Sequence, residues 1–333
     1  MRINMKNWQA ETLASKDIKA MPIMTHPGIE IIGETVKNAC CNGCVHADAV
    51  VALASKYPTH AATVIMDLTT EAEAFGAEVH FSEDEVPAIV GHLLNTPDDI
   101  YALPVPSLTA GRVPEYLKAN LLAAERITDR PVFGGCIGPF SLAGRLYDMS
   151  EIMVLVYQDP DAAHVLLEKC TEFIMKYCLA MKVAGVNGVI MAEPAAGLMS
   201  NDDCKKFSSE YVKRIVEKVQ DDYFTVVLHN CGNTNHCTEA MVITGAKALH
   251  VGNKCDMSVV LQDTPQNILC MGNLDPVSVF KDCTPEQMYN ETKALLDKCA
   301  SFPHFVLSSG CDTPPATPLA NIDKFFEAVQ DFR

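Results

Sequence analysis

A chain of 333 residues, 48% hydrophobic and 20% charged, can bury a full core as one large barrel-type domain or two ordinary ones. Its formal charge of -16 argues against a nucleic-acid or anionic-membrane partner, and no apolar run reaches the roughly 18 residues of a membrane span. With 14 cysteines and no apolar leader, the chain reads as a cytoplasmic protein with reduced thiols, not a disulfide scaffold.

Residues 1–20 read as a short amphipathic lead-in anchored by Trp8 and Leu13. Ala20–Thr25 is a first strand, and His26 at its end either faces a pocket or caps a loop. Cys40, Cys41, Cys44 and His46 cluster at the start of a helix over Val45–Lys56. A CxxC without a second pair reads there as small side chains packing at a helix start. Residues 61–67 form a second strand, and Asp67 at its end is either a site residue or the N-cap of a helix over Leu68–Phe75. The charged, proline-dotted stretch 82–106 is an excursion outside the core, and Val113–Arg126 is helical.

Pro131–Ile137 is a third strand that runs through a Gly138–Leu142 turn into a helix carrying Arg145, which points either to the site or to solvent. Asp159-Pro160 opens a long helix with apolar positions at Val165, Leu166, Phe173, Tyr177 and Met181, ending at Gly185. Gly188–Ala192 is a fourth strand, delivering Glu193 as a metal ligand, a general base or a cap. Ser200-Asn201-Asp202 then caps a helix running to Gln220.

The fifth strand, Thr225–Leu228, delivers His229, Asn230 and Cys231. One residue between an imidazole and a thiol lets both turn toward one point if the chain bends there, and both are good zinc ligands. His236 and Cys237 follow where the next helix begins and rank below that pair. Lys247–Val251 is the sixth strand, ending at Asn253, and Ile268–Gly272 the seventh, ending near Asp275. Thr284-Pro285-Glu286 starts a helix. His304–Ser308 is the eighth strand and delivers Cys311, before a last helix over Leu319–Val329. Two sulfurs and one imidazole leave a tetrahedral position open, which marks catalytic rather than structural zinc.

Eight short strands alternating with helices predict a single (β/α)8 TIM barrel with a helical lead-in. Asp67, Glu193, His229, Cys231, Asn253, Asp275 and Cys311 all fall at strand carboxyl ends, the catalytic face of such barrels.

Along nearly its whole length the chain resembles the uroporphyrinogen decarboxylase superfamily. The resemblance lies in PIMTHPG, MDLTTEAEAFGAEV, GPFSLAGRL, MAEP, VVLHNCGN, MGNLDP and SSGCDTPPATPLANI. Within it the chain resembles the zinc-dependent, corrinoid-linked methyltransferases, whose H-x-C…C zinc motif is met by His229, Cys231 and Cys311. That resemblance implies Zn2+ and a methylcobamide, free or on a corrinoid protein, as methyl donor to a small thiol such as coenzyme M. It points to Asp67, Glu193 and Asp275 as catalytic groups, with Glu193 or Asp275 as resting fourth ligand or proton acceptor. His26, Arg145 and Asn253 are the expected cofactor contacts. True decarboxylases grip tetrapyrrole carboxylates with arginines after the first strand, where this chain has Thr25-His26-Pro27-Gly28. They carry a Gly-His-Gly histidine on the last strand, where this chain has Cys311. Uroporphyrinogen decarboxylation and a non-catalytic corrinoid-binding role are the alternatives.

Overall fold

The computed structural model of the protein describes residues 3–332. Eight strands run parallel: β1 Lys19–Ala20, β2 Ala62–Thr63, β3 Val132–Ile137, β4 Gly188–Ala192, β5 Thr225–Asn230, β6 Ala248–Val251, β7 Leu269–Leu274 and β8 Phe305–Ser309. They pair in the order β1-β8-β7-β6-β5-β4-β3-β2, a curled sheet with helices outside, as a (β/α)8 barrel requires. Between β1 and β2 no ladder forms, and the His60 N–H to Ala20 carbonyl bond of 2.8 Å bridges the seam.

Those two edge strands are shorter than expected because side chains take over their backbone donors. The Ile23 N–H goes to Ser309 Oγ at 3.0 Å, and the Ile65 N–H goes to His46 Nε2 at 2.8 Å. His46 is thereby a structural acceptor, held down to about 3 by its burial and secondarily by His26. The Cys40–Cys44 stretch spans two helices, Val36–Cys41 and Gly43–Lys56, broken at Asn42. The excursion carries a small hairpin, Val79–His80 against Ala88–Ile89, and a helix over Pro97–Ala102. The helix expected from Ser200 to Gln220 is interrupted by a wide turn at Lys205–Ser209. Among the described residues no helix is long and apolar enough to cross a membrane.

The barrel interior follows from the two-residue side-chain period of a strand. Phe133, Ile190, Val227, Ala248, Leu269, Met271 and Val306 form one buried cluster with Met21 and Ile23. Met5 and Trp8, from the helix Met5–Ala14, join that cluster, so the lead-in supplies part of the barrel core. Counting on by two from Val227, Ala248 and Val306 puts His229, His250 and Ser308 in the next inward layer. Val227 and Ala248 are register partners, and so are His229 and His250. A polar layer thus caps an apolar one toward the carboxyl ends of the strands.

Candidate metal centre

Cys231 lies two residues beyond His229, so strand parity aims both inward if the chain stays extended for one more step. Asn230 holds that step. Its amide donates to the Glu193 carbonyl at 2.6 Å and its oxygen accepts the Gly232 N–H at 2.9 Å. Gly252 permits the neighbouring strand end to pass close by, since a Cβ there would lie 2.5 Å from the Cys231 carbonyl oxygen. Cys311 arrives from the end of β8. One ligand atom each from His229, Cys231 and Cys311 lies within 4.8 Å of the other two. His229 Nε2 and Cys311 Sγ are 3.5 Å apart. Tetrahedral zinc with ordinary Zn–N and Zn–S bonds separates such atoms by about 3.6 Å, so the donor set fits the ion in chemistry and spacing.

The electrostatics favour one thiolate in this pair. The Cys311 thiol donates toward Cys231 and lowers the Cys231 pKa against the cost of burial. The same contact, with burial, holds the Cys311 pKa far above its ordinary value. His229 Nδ1 faces away from the thiols, 2.8 Å from Nδ1 of His250. His250 Nε2 in turn lies 2.8 Å from Ser308 Oγ. Burial, then the neighbouring His229, keeps His250 well below its usual pKa, hence neutral. His250 and Ser308 escaped notice in the sequence. The available signal was parity: a histidine at an inward position of an otherwise apolar strand.

The other expected site residues have different partners. Glu193 lies outside this cluster: among the described residues no carboxylate joins it, and Glu193 is 2% exposed beneath the helix Pro139–Tyr147. One carboxylate oxygen accepts the Phe140 N–H and the Ser208 hydroxyl, and the other accepts the Ser141 N–H. A helix start with free N–H groups is a ready place for a carboxylate, which is why this one faces the helix and not the ion. Asp275 spends one oxygen on the Val277 and Ser278 N–H groups and the other on the Asn253 amide, so these two residues brace the rim.

Asp67 neither caps a simple helix start nor stands free. Its oxygens accept from Thr69, Tyr116 and Arg112. Arg112, 8% exposed, also reaches Glu73 at 2.6 Å and lies over the Phe81 ring. No local pattern announced Arg112, which sits in a loop 45 residues from Asp67. Arg145 is half-buried, without a hydrogen bond among the described residues, and lines a cavity of about 230 Å³ with Leu68, Ser141, Asp148 and Pro194. Burial lowers its pKa against the pull of Asp67 and Glu71. His26 is 4% exposed, and its Nδ1 donates to the Thr313 carbonyl at 3.0 Å, with Asp312 at 3.4 Å. Burial opposes its charge, but Asp312 outweighs that and raises the pKa. His236 and Cys237 instead contact the Met199 carbonyl, outside the cluster. A cavity of about 820 Å³ opens around Trp8, His60 and Arg130 and contains none of these strand-end groups.

Glu71 gives a pH signature. It is 1% exposed, one oxygen accepts the Ile137 N–H, and the other has no partner. Burial pushes its pKa up to about 8. A folded-state value raised above the unfolded one gives stability that is complete below about 4.5 and lost as pH rises through about 8. Replacing Glu71 by Gln should flatten that decline, so the variant gains on the parent by about 1.4 kcal/mol per pH unit between these limits. Urea titrations at pH 5, 6, 7 and 8 check it; a constant difference between the two proteins would refute the assignment.

The family Uroporphyrinogen decarboxylase (URO-D) matches residues 18–332. The chain is 31% identical over 277 residues to methylcobamide:CoM methyltransferase MtbA of Methanosarcina mazei, covering 82% of this chain and 80% of that protein. It is 27% identical over 303 residues to uroporphyrinogen decarboxylase of Legionella pneumophila, covering 88% and 85%. A solved methyltransferase from Methanosarcina mazei shares the fold at a TM-score of 0.89, with 24% identity and 99% of each chain covered. With its barrel, its strand-end motifs and a match spanning residues 18–332, the chain belongs to the uroporphyrinogen decarboxylase family.

Proposed function

We propose that this protein is a zinc-dependent methyltransferase that moves a methyl group from a methylated corrinoid, free or protein-borne, to a small thiol such as coenzyme M. The observation that carries the reading is the convergence of His229, Cys231 and Cys311 with no carboxylate among them. Three protein donors leave room for one exogenous donor, the pattern of catalytic zinc. The similarity to methylcobamide:CoM methyltransferase MtbA supports it. When bound, zinc would favour the thiolate form of the acceptor near neutral pH, and the corrinoid would supply the methyl group.

The chain's own residues do the rest. The two cysteines give the metal soft, electron-rich donors, which suits a reducing cytoplasm. His26, held toward its charged form by Asp312, sits beside the loop that carries Cys311. Arg145 offers donors to an anionic group of cofactor or acceptor in the cavity it lines. Uroporphyrinogen decarboxylation is the second reading, favoured by the relatives of that name. It gives the His229–Cys231–Cys311 cluster no task.

The test is methylcobalamin demethylation against a panel of thiols, with zinc measured alongside. The expected result is about one zinc per chain and thiol-dependent loss of the methyl group. Metal-free protein that turns over a porphyrinogen would instead establish the decarboxylase. A companion variant separates structure from chemistry. Glu193→Gln should cost about 1.5–3 kcal/mol, since a buried carboxylate loses charge-assisted bonds, while zinc content stays the same. Denaturation midpoints and metal analysis on one sample read both.

A further inference from the structure

We propose that His250 and Ser308 are positioning residues that fix which ring nitrogen of His229 is free to bind metal, an inference that rests on the zinc reading above. The relay has four members. His229 Nδ1 lies 2.8 Å from His250 Nδ1. His250 Nε2 lies 2.8 Å from Ser308 Oγ. Ser308 Oγ lies 2.7 Å from the Met21 carbonyl.

Followed from Met21, the relay has one polarity. A carbonyl only accepts, so the Ser308 hydroxyl spends its proton on Met21. Ser308 oxygen then accepts from His250, which must carry its hydrogen on Nε2. A neutral imidazole protonated at Nε2 has its lone pair on Nδ1, so it accepts the His229 Nδ1–H. His229 is left with a bare Nε2, the nitrogen 3.5 Å from Cys311 Sγ. The His250 carbonyl, 3.2 Å from His229 Nδ1, can only accept and imposes the same direction.

Burial makes the relay matter. His229 and His250 are each 1% exposed and Ser308 is 0% exposed, so water cannot readily replace a lost partner. The members come from β5, β6, β8 and the residue following β1, which ties the tautomer of one ligand to closure of the barrel. Ligating histidines usually give their second N–H to a carboxylate, carbonyl or water. Here a second imidazole takes that place, and its own tautomer depends on a serine.

The experiment measures zinc affinity of the full chain by competition with a chromogenic chelator. His250→Leu should weaken zinc binding by roughly 10–100-fold, the range for lost outer partners of a ligand. His250→Asn places an amide oxygen near the Nδ1 position and should recover most of that loss. Ser308→Ala should weaken binding by up to roughly tenfold, because the His250 ring stays beside His229 Nδ1 as the nearer acceptor. Long-range nitrogen–proton NMR of histidine-labelled, metal-free protein should show His229 protonated on Nδ1, and a larger Nε2-protonated share in His250→Leu, where the more distant main-chain carbonyl at 3.2 Å is the acceptor that remains. A folded His250→Leu protein that binds zinc as tightly as the parent overturns the proposal, as does a parent His229 protonated on Nε2. If His250→Leu fails to fold, Ser308→Ala and the parent spectrum decide. A parent that binds no zinc sinks the zinc reading alone, because the spectrum still reports the relay.

Discussion

Under the proposed zinc reading, replacing Cys231 or Cys311 with serine is expected to abolish zinc binding while leaving the protein folded. Each cysteine supplies one of three converging donors, and a serine hydroxyl is a poor ligand for this ion beside a thiolate and an imidazole. Loss of a direct ligand should exceed the roughly 100-fold upper range seen for outer partners, so occupancy falls from about one per chain to near zero after mild chelation. Methyl transfer to thiols should fall with it. The fold should persist, because both side chains sit in half-buried positions at strand ends and not in the apolar core. Metal analysis, far-UV circular dichroism and the demethylation assay on the same preparations settle the matter. Full zinc occupancy in Cys231→Ser would mean that the three groups do not share an ion.

The largest effect on stability should come from Arg112. Its guanidinium binds Asp67, Glu73 and the Thr69 hydroxyl, and it lies against the rings of Phe81 and Tyr116. The Asp67 side chain is 2% exposed, so Arg112→Ala leaves a buried carboxylate without its counter-charge. Such a change costs about 3–5 kcal/mol. Arg112→Lys should restore little, since a single ammonium cannot serve three partners in one plane. Adding Asp67→Asn to Arg112→Ala should give back part of the loss, because the orphaned charge is gone. Urea denaturation of the four proteins tests this. Equal destabilisation in the single and double variants would show that Asp67 and Arg112 act separately. Zinc content should stay unchanged throughout, as neither residue belongs to the metal cluster.

Much of the fold was legible because it is written in local periodicity. Thr225–Asn230, Gly188–Ala192 and Val132–Ile137 are fully buried strands, as their continuous apolar runs indicate. The edge strands misled because Ser309 and His46 cap their N–H groups from afar, which no run of apolar residues reveals. Glu193 was ambiguous for a related reason. A carboxylate after a buried strand has the same local look whether it meets an ion or the start of a helix, and here Phe140 and Ser141 claim it.

The chain itself determined the spacing of His229 and Cys231, because a strand repeats every two residues and so aims both the same way. It also determined the soft chemistry of the donors. Closure of the barrel alone decided that Cys311, 82 residues from His229, completes the group, that Arg112 locks Asp67, and that His250 and Ser308 stand behind His229. Periodicity is a property of neighbours along the chain. The choice of partner across a buried interior depends on which surfaces pack together, and that is set by the whole fold at once.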